Sequence, residues 1–86
     1  MKYFLNKKIA NRKVGNGWLF ENGIGLNETS YEIYNICNEK LTNKEILEKI
    51  KNIYTINPDD EKKVETEVIN CIEQLIEADL IKSVEE

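Results

Sequence analysis

Cys37 and Cys71 are the residues of this chain best suited to covalent chemistry, and neither stands where such chemistry needs it. A nucleophilic thiol wants a base beside it. The sequence contains no histidine, which removes the commonest general base and a leading metal ligand together. The two cysteines are far apart, match no metal-ligand spacing, and each falls in an apolar helical pattern, as small buried thiols do. Acid pairs such as Asp59 with Asp60 or Glu61 with Glu65 lie on the first turns of a helix, where dipole and solvation account for them. Gly15, Gly17, Gly23 and Gly25 sit at strand turns rather than opening a helix, so they make no phosphate loop, and no nucleophile elbow is present. These absences predict a chain that is not an enzyme and needs no cofactor or metal.

Other chemistry must then be positioned by the elements. At 86 residues, 1–86 reads as a single domain. With 41% apolar and 33% charged residues the composition is that of a folded globule, not of a disordered chain. No apolar run approaches the ~20 residues that span a bilayer, and the opening "MKYFLNKKIANRK" lacks the apolar stretch of a secretory signal. The expectation is a cytoplasmic protein with no membrane partner. Charge is unevenly spread. Residues 1–20 carry Lys2, Lys7, Lys8, Arg12 and Lys13 with no acid, whereas the rest of the chain sets seven lysines against sixteen acids.

The first third reads as sheet. Gly15-Asn16-Gly17 and Asn22-Gly23 are turn signals, the second a strong hairpin marker. They predict three short antiparallel strands at about 7–15, 17–22 and 23–27, the second central. Three helices are predicted at about 29–38, 42–54 and 58–79. Thr29 with Glu32 and Thr42 with Glu45 have capping-box spacing. Asn57-Pro58-Asp59-Asp60 supplies an N-cap, a proline at N1 and acids at the positive dipole end. The expected fold class is α+β and winged-helix-like, a three-stranded antiparallel sheet followed by three helices. On the last helix Val64, Val68, Cys71, Ile72 and Leu75 form a stripe that Ile69 and Ile76 widen. The extra width either packs a core from two directions or lines a groove that a partner fills.

Such a unit has two uses. One is DNA binding by a transcriptional regulator, with a helix in the major groove. In 42–54, however, Lys44, Lys49 and Lys51 are offset by Glu45 and Glu48, and 58–79 is strongly acidic, which opposes phosphate. The other use is capture of an extended peptide at a sheet edge. Lys7, Lys8, Arg12 and Lys13 guard the first strand, but Gly23, Ile24, Gly25 and Leu26 carry neither lysine nor proline. Glycines there also let another backbone approach closely.

The segment "GNGWLFENGIGLNETSYEIYNICNEKLTNKEILEKIKNIYTIN", followed by "VINCIEQLIEADLI", resembles the PQQ-biosynthesis protein D family, the prototype of the recognition domains for ribosomally made, modified peptides. The likeness runs from about Ile9 to Ile81. It is carried by the Leu26-Asn27-Glu28-Thr29 junction, the Leu41-Thr42 start with Glu45-Ile46 behind it, and the closing Leu75…Leu80-Ile81. The chain departs from the family pattern at "CNEKLT", where a glycine usually precedes the second helix. The resemblance implies a non-catalytic domain that binds the leader segment of a precursor peptide as a strand added to the third strand. It would then deliver the core segment to a modifying enzyme, a radical SAM enzyme in the first instance, or to a leader peptidase. The implied peptide-binding residues are Gly23, Ile24, Gly25 and Leu26 on the strand, with Val64, Glu67, Val68 and Cys71 on the third helix. Nucleic acid is not among the implied partners.

Without a base, a metal cluster or an activated nucleophile, the chain alone is expected to leave a precursor peptide covalently unchanged. Mass spectrometry of peptide incubated with the purified chain checks this, and a mass change that requires only this protein contradicts it.

Overall fold

Two turns and the alternation of apolar residues build the main sheet in the computed structural model, which describes residues 1–86. A first strand, β1, spans Lys2–Asn6, and the sheet proper begins with β2 at Asn11–Val14. A two-residue loop at Gly15-Asn16 leads to β3, Gly17–Phe20, with Val14 opposite Gly17 and Lys13 opposite Trp18. The next turn is longer than a bare Asn-Gly hairpin. The Gly23 amide donates to the Phe20 carbonyl at 2.9 Å and Gly23 sits at φ +87°, so Glu21, Asn22 and Gly23 form a three-residue loop with glycine in the left-handed position. Strand β4 is then only Gly25–Leu26, with Leu19 opposite Gly25 and Trp18 opposite Leu26. The order is β2-β3-β4, antiparallel, with β3 central.

Three helices follow, and the fold is α+β. Helix α1 (Glu28–Ile36) is capped by Asn27, whose Oδ1 accepts from the Ser30 amide at 2.9 Å. The expected Thr29–Glu32 box does not form, because β4 ends at Leu26 and the chain can turn helical at once. Helix α2 (Asn43–Ile53) has the expected capping box: the Glu45 amide donates to Thr42 Oγ1 at 3.2 Å and the Thr42 amide to Glu45 Oε1 at 3.0 Å. Pro58–Asp60 is a single 3₁₀ turn ahead of α3, Glu61–Glu77. The end of α3 is closed by Asp79 in the left-handed region at φ 64°. The Leu80 amide reaches back to the Leu75 carbonyl and the Asp79 amide to that of Ile76, each at 3.0 Å, while the Leu75 and Leu80 side chains are both buried. This is a Schellman ending with aspartate where glycine is usual.

The chain also contains a second sheet that sequence reasoning missed. Strand β5 (Ile81–Glu85) pairs antiparallel with β1, Tyr3 opposite Val84 and Leu5 opposite Lys82. The other side of β1 is bonded to the α1–α2 connection: the Phe4 amide donates to the Leu41 carbonyl and the Asn6 amide to that of Cys37, both at 2.8 Å. A strand starting near residue 7 is therefore replaced by a break. Lys8 takes φ 53°, its amide held at 3.1 Å by the side chain of the buried Asn6, which also donates to the Tyr34 carbonyl at 2.8 Å.

The core gathers around α3. Phe4, Phe20, Ile33, Ile46, Ile72, Leu75 and Leu80 are buried in it, from both sheets and all three helices. Each such side chain contributes about 1.5–3 kcal/mol by leaving water. Substituting Phe4→Ala is expected to cost about 3–5 kcal/mol, measured by urea unfolding. A loss below about 1 kcal/mol, the level of an ordinary surface change, contradicts a structural role for β1.

Candidate functional site

Strand β4 is one edge of the β2-β3-β4 sheet, and its backbone accounting decides what that edge offers. The Phe20 amide donates to the Ile24 carbonyl at 2.8 Å, and the Ile24 amide is taken by Asn22 Oδ1 at 3.2 Å. Inward and outward residues alternate along an antiparallel ladder. Since Ile24 faces β3, Gly25 faces away from it and Leu26 faces β3 again. Of Gly23, Ile24, Gly25 and Leu26, then, Gly25 directs both its amide and its carbonyl to the open edge. Gly23 serves the turn. The side chains of Ile24 and Leu26 are half-buried against the core. An added side chain at Gly25 would meet nothing closer than the Trp18 carbonyl at 3.9 Å, whereas one at Gly17 would meet the Leu26 carbonyl at 2.8 Å. Glycine at 17 thus lets β3 and β4 close up, and glycine at 25 leaves the edge bare.

The four helix residues expected at the site come together. Val64, Glu67, Val68 and Cys71 line one cavity of about 250 Å³, and Thr29, Ile33, Ile50, Tyr54 and Ile56 complete its wall. Seven of its nine lining residues are apolar. A larger hollow of about 470 Å³ beside Arg12, Leu19 and Glu21 has three apolar residues among seven, so it is the smaller cavity that suits an apolar guest. The wide stripe of α3 serves both of its readings: Val68, Ile72 and Leu75 are core, while Val64 and Cys71 are half-buried at the opening. Tyr54 and Ile56 were not legible as wall residues. Their signal is faint: Tyr54 ends the apolar stripe of α2 yet stays 42% exposed.

Edge and groove are joined by the first turn of α1. Thr29, three residues beyond Leu26, lines the cavity, and Cys71 Sγ lies 3.5 Å from Ser30 Oγ. The next turn is clamped to the sheet. Tyr31 stacks on Trp18 with ring centroids 4.1 Å apart and planes 8° from parallel, and its hydroxyl donates to Asn11 Oδ1 at 2.9 Å. Phe20 meets Tyr34 edge-on at 4.8 Å, and the Tyr34 hydroxyl accepts from the Ile9 amide at 3.0 Å. Burial raises the Tyr34 phenol above its ordinary value despite the Ile9 contact.

The two thiols differ in kind. Cys37 is fully buried, and burial first, then the nearby Cys71, pushes its thiol up to about 12. Cys71 is half-buried at the groove. No group of three or more Cys, Asp or Glu side chains is placed to hold a metal ion. No helix is long and apolar enough to cross a membrane.

Comparison with known proteins adds one finding. The family model for Coenzyme PQQ synthesis protein D (PqqD) matches residues 18–81, from the second residue of β3 to the first residue of β5. No curated protein and no solved structure matches significantly.

At pH 8 iodoacetamide is expected to alkylate Cys71 in the folded protein and Cys37 only after unfolding, read by peptide mapping. Because folding raises the Cys37 pKa from 9.0 to about 12, its contribution to stability is intact below pH 9 and falls by about 1.4 kcal/mol per unit as pH rises from there towards 12. The difference in stability between the parent and Cys37→Ala should shrink over that window. A constant difference contradicts the buried thiol.

Proposed function

The chain belongs to the coenzyme PQQ synthesis protein D (PqqD) family, and on that footing we propose that it captures the leader segment of a ribosomally made precursor peptide and delivers the core segment to a modifying enzyme. The single observation that carries this reading is the outward-facing backbone of Gly25 beside an apolar groove. An extended guest bonds to Gly25, and this is sequence-tolerant because it uses only backbone. Side chains of the guest that point towards α3 enter the cavity of Val64, Val68, Cys71 and Tyr54, with Glu67 at its rim, and this supplies selectivity. Binding energy comes mainly from that apolar burial, since one residue of ladder provides few bonds.

In this reading the chain has no catalytic part. Its contribution is tethering, which raises the effective concentration of the core segment at an active site elsewhere to the order of mM for a short flexible link. A radical SAM enzyme is the expected partner, a leader peptidase the alternative one. A DNA-binding role finds no support in the charges of the helices: Lys51 is paired with Glu61 at 2.7 Å and Glu48 at 3.9 Å, and Lys49 with Glu39 at 3.4 Å. Lys44 is the one lysine of α2 without a carboxylate partner, and a single free cation has little to offer phosphate.

Proline scanning of β4 tests the proposal against a precursor peptide encoded beside this chain's own gene. Gly25→Pro removes the outward amide and no internal bond, so the protein should fold, with peptide affinity reduced by about 1 kcal/mol or more. Gly25→Ala keeps the amide and should fold as well. Ile24→Pro loses the clasp from Asn22 and should lower the unfolding midpoint instead. A folded Gly25→Pro protein that binds its leader as tightly as the parent refutes strand addition at this edge.

A further inference from the structure

The longer unpaired strand edge lies on β5, not β4. The β1–β5 ladder continues beyond the strands at both ends, with the Lys7 amide donating to the Leu80 carbonyl at 2.9 Å and the Glu86 amide to that of Met1 at 3.0 Å. These bonds fix the phase. Leu80, Lys82, Val84 and Glu86 turn their backbone groups towards β1, so Ile81, Ser83 and Glu85 turn theirs away from it. Nothing in the chain pairs with the amides or carbonyls of Ser83 and Glu85 on that side. Both residues are exposed, and no proline or bulge interrupts the strand.

We propose that this edge pairs with the same edge of a second copy of the chain, antiparallel about a two-fold axis at Val84. The phase limits the registers. Outward residues must meet outward residues, so the axis passes through a residue, and since Lys82 or Glu85 there would face its own like charge, either Ser83 or Val84 lies on it. With Ser83 there, Glu85 faces the buried Ile81 of the second copy and Lys82 faces Val84, which leaves charge against apolar side chains. With Val84 there, Ser83 exchanges both backbone bonds with Glu85 of the second copy, Val84 meets its own mate, and Lys82 lies opposite Glu86. That last pair occurs twice, in the close non-hydrogen-bonded position where opposite charges help most.

The faces agree with this register. Tyr3 and Leu5 share a face of the terminal sheet with Lys82 and Val84, and Tyr3, Leu5 and Val84 are only half-buried there. Pairing joins Tyr3 and Val84 of each copy into one apolar row across four strands. Glu86 is held within the chain by Lys40 through Oε1, which leaves Oε2 for Lys82 of the second copy. The contact is isologous and closes on itself, so it stops at a dimer rather than a fibre. It lies apart from β4 and the α3 groove, and it stands or falls independently of leader binding.

Sedimentation equilibrium of the full chain at low ionic strength, from micromolar to millimolar protein, provides the test. The mean mass should rise from one chain towards two. Ser83→Pro removes only an outward amide and should remain one chain in mass at every concentration, with an unchanged melting midpoint. Lys82→Glu and Glu86→Lys should each weaken association at least tenfold, and the double exchange Lys82→Glu with Glu86→Lys should restore it. A parent that stays at one chain mass up to millimolar concentration overturns the proposal. So does a Lys82→Glu protein that associates like the parent, or a double exchange that fails to recover.

Discussion

The stack of Tyr31 on Trp18 is the contact on which the candidate site rests. Strand β4 is two residues long and could not hold its place as part of an isolated sheet. It is held because β3 carries Trp18 and Phe20 on its inner face and α1 answers with Tyr31 and Tyr34, which places four aromatic rings between sheet and helix. Hydroxyl bonds from both tyrosines to the Ile9–Asn11 segment fix the rotation of α1 about its axis. That rotation brings Thr29 and Ser30 against the groove side of α3. An edge two residues long and a cavity between helices thereby become one surface.

The second constraint is closure. Strands β1 and β5 lie at opposite ends of the sequence, and together they close part of the core. Phe4 and Ile81 are buried, and Asn6 spends its side chain on Tyr34 and Lys8. The outward backbone of Gly25 can stay unpaired because it closes no part of the core. Charge follows the same division. The cations gather in the first twenty residues, while the acids crowd the helices, where the Lys51 ammonium is held above its usual range, chiefly by its hydrogen bond to Glu61.

Much of this was readable from residues alone, for identifiable reasons. Asn22-Gly23 marks the turn because Gly23 takes a left-handed conformation that few other residues tolerate, and the absence of lysine from β4 marks the bare edge. The box at Thr42–Glu45 stands alone, without a competing cap, and it forms as its spacing implies. At α1 two cap residues compete, and Asn27 prevails because the strand ends beside it; local pattern cannot rank them. The terminal strands were hidden because no turn signal links "KYFLN" to "IKSVE", and the two partners lie nearly the whole chain apart. Nor could the phase at Gly25 be read, since it depends on the three-residue loop rather than on the Asn-Gly pair. On α3, Val64, Val68 and Cys71 stand out by helical spacing and Glu67 only by the family resemblance, whereas Tyr54 and Ile56 are brought to the groove by tertiary packing.

Amide hydrogen exchange at Gly25, followed by NMR with and without a bound precursor leader, tests the central claim most directly. In the free protein the Gly25 amide should exchange quickly, because it faces solvent, while the Leu26 amide, which faces β3, should exchange slowly. On saturation with leader the Gly25 amide should slow by about tenfold or more, as a newly formed ladder bond protects it, with Leu26 little changed. A leader that binds and shifts other resonances while Gly25 continues to exchange as fast as before would show that the edge plays no part in capture.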